Sequence, residues 1–84
     1  MKIIETIKFE GRNINDIFGK ECVSSVDKDC NGKPVIFLKS EYTLGRPALR
    51  RGEYLCKFAN GMWQVFGAVA YENLIKNTKN DDKF

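Results

Sequence analysis

The chain has 84 residues, of which 43% are hydrophobic and 12% aromatic, with 14 Lys plus Arg against 11 Asp plus Glu, no His and a net charge of +3. A chain of this length has room for one hydrophobic core, which excludes a two-domain protein. No apolar run approaches the ~20 residues of a membrane-spanning helix, and no charged-then-apolar leader is visible, so we expect a cytoplasmic protein without membrane contact.

The N-terminal residues predict a strand followed by a short helix. Residues 2–10 alternate with period two and include β-branched and aromatic side chains, which is typical of a strand with one buried face. Residues 13–19 predict a helix of about two turns, because Asn13 suits an N-cap and Gly19 a stop. Its apolar side chains fall at i, i+3 and i+4, namely Ile14, Ile17 and Phe18.

The middle of the chain predicts a hairpin. Residues 22–26 and 34–38 have strand character and flank a turn in which Asn31-Gly32 supplies the positive φ angles of a tight connection. Asp27 and Asp29 alternate as in a calcium loop, but Leu38 stands where the bidentate Glu belongs, so we expect no calcium site. Residues 40–44 are interpreted as extended or looped, and 45–47 as a turn or a bulge.

The clearest local signal is the second Asn-Gly pair. Residues 54–59 and 62–66 are strand-like runs joined by Asn60-Gly61, which predicts a two-residue type I′ hairpin. In that register Phe58 faces Trp63 and Cys56 faces Val65, so one face is apolar. Trp63 is therefore expected to pack in the core rather than to serve as a stacking platform for bases or sugars.

The C-terminal residues complete an α+β fold. Residues 68–76 predict a helix too short to be stable alone in water, so it has to dock on a sheet. We expect an antiparallel sheet of four to five strands, with a short N-terminal helix and a C-terminal helix packed on it. The domain is predicted to span 1–77, and 78–84 to form a frayed polar tail.

The three cysteines predict neither a metal centre nor a disulfide framework. They are odd in number, contain no Cys-x-x-Cys pair and have no His beside them as a further ligand. We therefore expect no metal and no cofactor. Cys56 is expected to be buried as a small hydrophobe, and Cys30 to be exposed in its turn.

Several runs resemble a family of small bacteriophage and prophage proteins. The run 49–55 (Leu-Arg-Arg-Gly-Glu-Tyr-Leu), then 60–63 (Asn-Gly-Met-Trp), then Tyr71 and Ile75 resemble their C-terminal module of a Gly-Asp-Tyr step, a β-hairpin and a closing helix. Residues 3–11 are similar to their opening strand. The chain departs from the family at Arg51, Glu53 and Ile75, and residues 20–33 match nothing in it.

The resemblance implies a compact α+β domain encoded by a phage and acting in the cytoplasm of a bacterial host. It brings no catalytic residues with it. The sequence itself has no His, no suitably spaced carboxylate pair and no Gly-rich phosphate loop, so we expect no enzyme. The leading hypothesis is a binding protein that docks on a host macromolecule, foremost a host protein, and inhibits or redirects it.

The candidate binding residues surround an uncompensated basic segment. Arg and Tyr side chains dominate many binding energies, which favours a patch made of Arg46, Arg50, Arg51, Lys57, Tyr42 and Glu53. A structural interpretation stays open beside this one: the arginines form a solvated loop and strand edge, and Glu53 accepts backbone N–H bonds of its turn.

Two other functions remain open. The same cations could bind nucleic acid or a phosphorylated nucleotide, with an affinity that falls steeply as salt rises. Alternatively, the chain could be a structural accessory protein that forms a homodimer or larger oligomer through exposed strand edges.

Overall fold

The computed structural model describes residues 2–81, with side chains up to residue 76. The fold is α+β, as predicted from the sequence. The elements in chain order are β1 (Ile3–Lys8), α1 (Ile14–Phe18), β2 (Val23–Lys28), β3 (Pro34–Leu38), a 3-10 turn (Ser40–Tyr42), β4 (Thr43–Leu44), β5 (Ala48–Arg50), β6 (Tyr54–Phe58), β7 (Trp63–Phe66) and α2 (Ala68–Asp81).

The strands form two sheets rather than the one that was predicted. The first sheet has the order β1-β6-β7-β4, with a parallel pairing between β4 and β7, and the second has the order β2-β3-β5. β5 was missed because it has three residues and lies between two turn glycines, Gly45 and Gly52. It pairs with β3, so the basic segment is partly an edge strand of the second sheet.

The N-terminal helix does not match the prediction of two turns. α1 has five residues, and Asn13 makes no side-chain cap to it. The Asn13 side chain instead accepts the N–H of Glu10 and donates to the carbonyl of Lys8, both at 2.8 Å. These local bonds compete with the helix for the Asn13 side chain. Ile17 is fully buried, but Phe18 is 55% exposed.

The main core lies where the two sheets and α1 face one another. Its fully buried members include Phe9, Ile17, Cys22, Ile36, Leu49, Leu55 and Trp63. The burial of Trp63 and the pairing of β6 with β7 confirm two predictions from the sequence.

The β6–β7 hairpin has a different turn from the one predicted. Lys57 pairs with Trp63 and Leu55 with Val65, one residue away from the predicted register. The N–H of Gly61 donates to the carbonyl of Phe58, and among the described residues every positive φ belongs to a glycine, so Asn60 does not adopt the type I′ conformation. The loop is a three-residue turn in which Gly61 alone has φ +89°, followed by a bulge.

The shifted register places β6 between two apolar layers. Leu55 belongs to the main core, whereas Cys56 and Phe58 point to the opposite face of the sheet and are also buried. On that face the Tyr71 ring of α2 stacks on Tyr54, with centroids 3.9 Å apart. The prediction of a single apolar face was therefore wrong, because α2 covers the second one.

α2 continues past the predicted end at residue 76, to Asp81. The predicted tail over 78–84 lies partly outside the described residues. No helix in the part of the chain that the structure describes has the length and hydropathy needed to cross a membrane.

Candidate functional site

The six residues predicted to bind do not form one site. Lys57 lies on β6, where its ammonium makes a 2.9 Å ion pair with Glu21 and lies 5.5 Å from the centroid of the Trp63 ring. Tyr42 precedes Thr43, which pairs with the same Trp63, so Tyr42 belongs to this end of the sheet as well. The Lys39 ammonium lies over the Tyr42 ring, 5.9 Å from its centroid.

Lys57 belongs to a network around the buried tryptophan. The hydrogen bond from Lys57 lowers the pKa of Glu21 to about 2, with further help from the Glu21 backbone and the Trp63 side chain. The indole N–H donates to the same carboxylate at 3.3 Å. Lys57 is therefore engaged within the molecule, and we remove it from the candidate site.

Arg46 and Glu53 also engage each other. The Arg46 guanidinium donates to Glu53 Oε2 at 2.6 Å, while Glu53 Oε1 accepts the backbone N–H of Arg50 at 2.7 Å. The Glu53 side chain is 15% exposed. These contacts give Glu53 the structural role that the sequence left open, as the acid that holds the β5–β6 turn.

Arg50 is held more loosely than Arg46. Its guanidinium lies 3.7 Å from Asp29 Oδ2, beyond the range of a short hydrogen bond, and its side chain is 55% exposed. Asp29 accepts the N–H groups of Asn31 and Lys33, which lower the pKa of its carboxyl, with a smaller contribution from Arg50.

The turn that carries Arg51 is bonded to the end of β1. The N–H of Gly52 donates to the carbonyl of Phe9 at 2.7 Å, and the N–H of Phe9 donates to the carbonyl of Glu53 at 2.9 Å. Gly52 has φ +88°, a conformation that glycine adopts readily. The Arg51 stem passes over Gly11, so that a Cβ built there would lie 3.4 Å from Arg51 Cδ. The backbone of the turn next to Arg51 is thus held to Phe9 by two hydrogen bonds.

Three neighbouring depressions share Arg51 in their lining. The first, of about 420 Å³, also contains Asp29, Lys33, Pro34, Arg50 and Gly52, and the second, of about 350 Å³, contains Glu10, Gly11, Arg12, Lys33 and Pro34. The third adds Lys8. We call the five cations of these depressions the Arg51 surface: Lys8, Arg12, Lys33, Arg50 and Arg51.

The Arg51 surface concentrates positive charge. With Glu10 and Asp29 as its carboxylates, it has a net charge of +3, equal to that of the whole chain. Arg12, Lys33 and Arg51 are exposed, and none of the three makes an ion pair with another described residue. Such charges are available to an external anion.

Arg12 and Lys33 were missed by the sequence reasoning. A signal for them exists, because each of the three unpaired cations is adjacent to a glycine with positive φ: Gly11-Arg12, Gly32-Lys33 and Arg51-Gly52. Each therefore projects from a turn. That the three turns line neighbouring depressions depends on how the two sheets are arranged, which the sequence did not predict.

Two of the three thiols are buried and the third is exposed. Cys22 and Cys56 are buried, and loss of hydration raises the pKa of both, to about 11 for Cys22. Cys30 is exposed, as predicted. No group of three or more metal-ligating side chains occurs among the described residues.

No protein-family model, curated protein or solved structure matches this chain.

Proposed function

We propose that the chain is a small, non-enzymatic binding protein of phage type, which docks through the Arg51 surface on a host macromolecule and thereby inhibits or redirects it. The observation that carries the proposal is the convergence of Arg12, Lys33 and Arg51, three cations from three separate turns, on one set of depressions without ion pairs to described residues.

The frame under these cations supports a docking role. The β5–β6 turn is fixed by Glu53 and by backbone bonds to Phe9. A surface that is already ordered loses less conformational entropy on binding, which favours affinity. The cations also attract an anionic partner from a distance, which raises the association rate.

The experiment is co-purification from bacterial lysate with a charge-reversed variant. Arg51→Glu should abolish recovery of the partner, whereas Lys76→Glu, an equal charge change at an exposed position of α2, should leave it unchanged. Thermal unfolding of both variants checks that each is folded. Equal recovery with the two variants would contradict the proposal.

Self-association is a second candidate with an observation of its own. β1 and β2 are edge strands of the two sheets, each six residues long. Unpaired strand edges can pair with a second chain. Light scattering during size-exclusion chromatography decides this point, since a monomer at micromolar concentration removes the candidate.

A further inference from the structure

Resting on the function proposed above, we infer that the Arg51 surface binds successive phosphate groups, those of a nucleic-acid backbone, without reading the bases. The chemistry is the pairing of guanidinium and ammonium groups with phosphate oxygens. It deepens the proposed function by naming the class of the macromolecule.

The arrangement of the depressions favours more than one anion. The two larger depressions share Lys33, Pro34 and Arg51, and each adds a further arginine, Arg50 in one and Arg12 in the other. Between them the two depressions offer three guanidinium groups and one ammonium, and the Arg51 guanidinium and the Lys33 ammonium border both. Two such positions in series suit a polymer of phosphates better than a single phosphate group.

The described residues of the lining include no exposed aromatic or large aliphatic side chain. Interfaces between proteins have an apolar centre with aromatic anchors. Among the described side chains, the exposed large apolar ones are Ile4, Phe18, Phe37, Tyr42 and Val69, and none of these lines the three depressions. Phe9 lines the third depression but is fully buried. Among the described residues, an acidic protein would meet five cations, the carboxylates of Glu10 and Asp29, Pro34 and glycines, without an exposed apolar centre.

The same lining argues against base recognition. Proteins that hold single strands stack the bases on exposed aromatic rings, and no described residue that lines the three depressions supplies such a ring. Contacts to phosphate position a nucleic acid without reading its sequence. Binding should therefore be independent of sequence.

Arg51 is the central contact, since it lines all three depressions. A guanidinium can donate two parallel hydrogen bonds to one phosphate. Arg50 can add a second contact because its ion pair with Asp29 is long, at 3.7 Å, and exposed. If Arg50 left Asp29 to bind a phosphate, the Asp29 carboxylate would still accept the N–H groups of Asn31 and Lys33.

The test is a titration of a fluorescent 16-base-pair DNA duplex at 50 and 200 mM salt. If each of the three unpaired cations contacts one phosphate, the slope of log K against log salt is about −2.7. The affinity at 200 mM salt is then about 40-fold lower than at 50 mM. Arg51→Gln and Arg12→Gln should each reduce the slope by about 0.9, whereas Lys76→Gln should leave it unchanged. Duplexes of two unrelated sequences should bind alike.

Two further ligands test whether the surface prefers a nucleic-acid backbone to an acidic protein or a free nucleotide. Polyglutamate of equal charge represents an acidic protein, and ATP represents a free nucleotide. Tighter binding of the duplex than of either probe supports the inference. Binding of polyglutamate or ATP as tightly as of the duplex overturns the assignment to a nucleic-acid backbone, as does an unchanged slope in the Arg51→Gln variant.

The failure of this inference can be separated from failure of the proposed function. If the duplex does not bind but a lysate protein is recovered in an Arg51-dependent manner, the backbone inference is wrong and the docking function stands. If neither depends on Arg51, both are wrong. Thermal unfolding of every variant shows whether it is folded.

Discussion

Lys57 and Arg51 belong to the same predicted patch and have opposite environments. The Lys57 ammonium is paired with Glu21 at 2.9 Å, and the side chain is 26% exposed against a buried indole. Arg51 is exposed and makes no ion pair among the described residues. One cation helps to hold the fold together and the other is free to bind.

The difference shows that a cation's role depends on which carboxylates the fold brings to it. Glu21 is far from Lys57 in sequence and reaches it because β6 pairs with β7 beneath the Glu21 carboxylate. Near Arg51 the local acid, Glu53, is occupied by Arg46 and by the Arg50 backbone. The charge of Arg51 therefore stays unneutralised although an acid lies two residues away.

The largest expected effect comes from removing the indole under Lys57. Trp63→Ala empties a fully buried site and should lower the free energy of unfolding by about 3–5 kcal/mol, which urea denaturation measures. Val69→Ala, at a position that is 72% exposed, should change it by less than about 0.5 kcal/mol. Similar midpoints for the two variants would contradict the assignment of Trp63 to the core.

The second largest effect is expected at Glu53, the carboxylate that holds the β5–β6 turn. Glu53→Gln weakens one ion pair and one charge-assisted bond at a carboxylate that is 15% exposed, and should cost about 1–3 kcal/mol. Glu41→Gln, at an exposed site, serves as the control with the same change of charge. Equal stability of the two variants would show that Glu53 does not hold the turn.

A smaller effect concerns the backbone of the same turn. Gly52→Ala places a Cβ at φ +88° and should cost about 1–2 kcal/mol, although the Cβ itself meets no atom within 4 Å. Gly19→Ala has the same open surroundings at φ −80°, and should be neutral or stabilise by up to about 1 kcal/mol. Thermal unfolding of the pair isolates the conformational effect, and a Gly52→Ala variant as stable as the parent would contradict it.

The smallest effect is a pH dependence at Glu21. Because its pKa in the folded protein is about 2, below the ordinary 4.5, its contribution to stability is fully present above pH 4.5 and is lost as the pH falls towards 2. The melting temperatures of the parent and of Glu21→Gln should therefore differ most above pH 5 and converge near pH 2. A gap that stays constant over this range would show that Lys57 does not perturb Glu21.

The strands with strong local patterns were predictable from the sequence. β3 was found with its observed bounds, and β1, β2, β6, β7 and the start of α2 within a few residues. In each case β-branched or aromatic alternation, or a turn dipeptide, gives a local signal. β4 and β5 have two and three residues, too few for a periodic pattern. The division into two sheets depends on which distant strands pair, β1 with β6 and β3 with β5, and no local pattern encodes that.

The candidate site was predictable only in part. Arg50 and Arg51 were identified because the segment 44–52 contains three cations and no acid, but Lys57 and Tyr42 were grouped with them from proximity in sequence. Their separation follows from the direction of β6, which leads away from the turn at residues 50–53. Arg12 and Lys33 join Arg51 through tertiary pairing, which no local pattern encodes.

The register error at Asn60-Gly61 has a physical cause. The dipeptide suits both a two-residue and a three-residue loop, which differ in whether Asn or only Gly adopts positive φ. The Asn60 side chain accepts the N–H of Met62 at 3.0 Å, which supports the longer loop. The Asn31-Gly32 turn has the same form, since the N–H of Gly32 donates to the carbonyl of Asp29 and Asn31 has no positive φ.

The double coverage of β6 has a consequence for the timescale of local opening. With β1 and β7 on its two edges and buried side chains on both faces, its amides should exchange with deuterated solvent only when the whole domain unfolds. The Arg51 turn leads directly into this strand. The backbone that leads from Arg51 into β6 should therefore keep its position through local openings elsewhere, and a ligand would meet Arg51 at the same place in nearly every folded molecule.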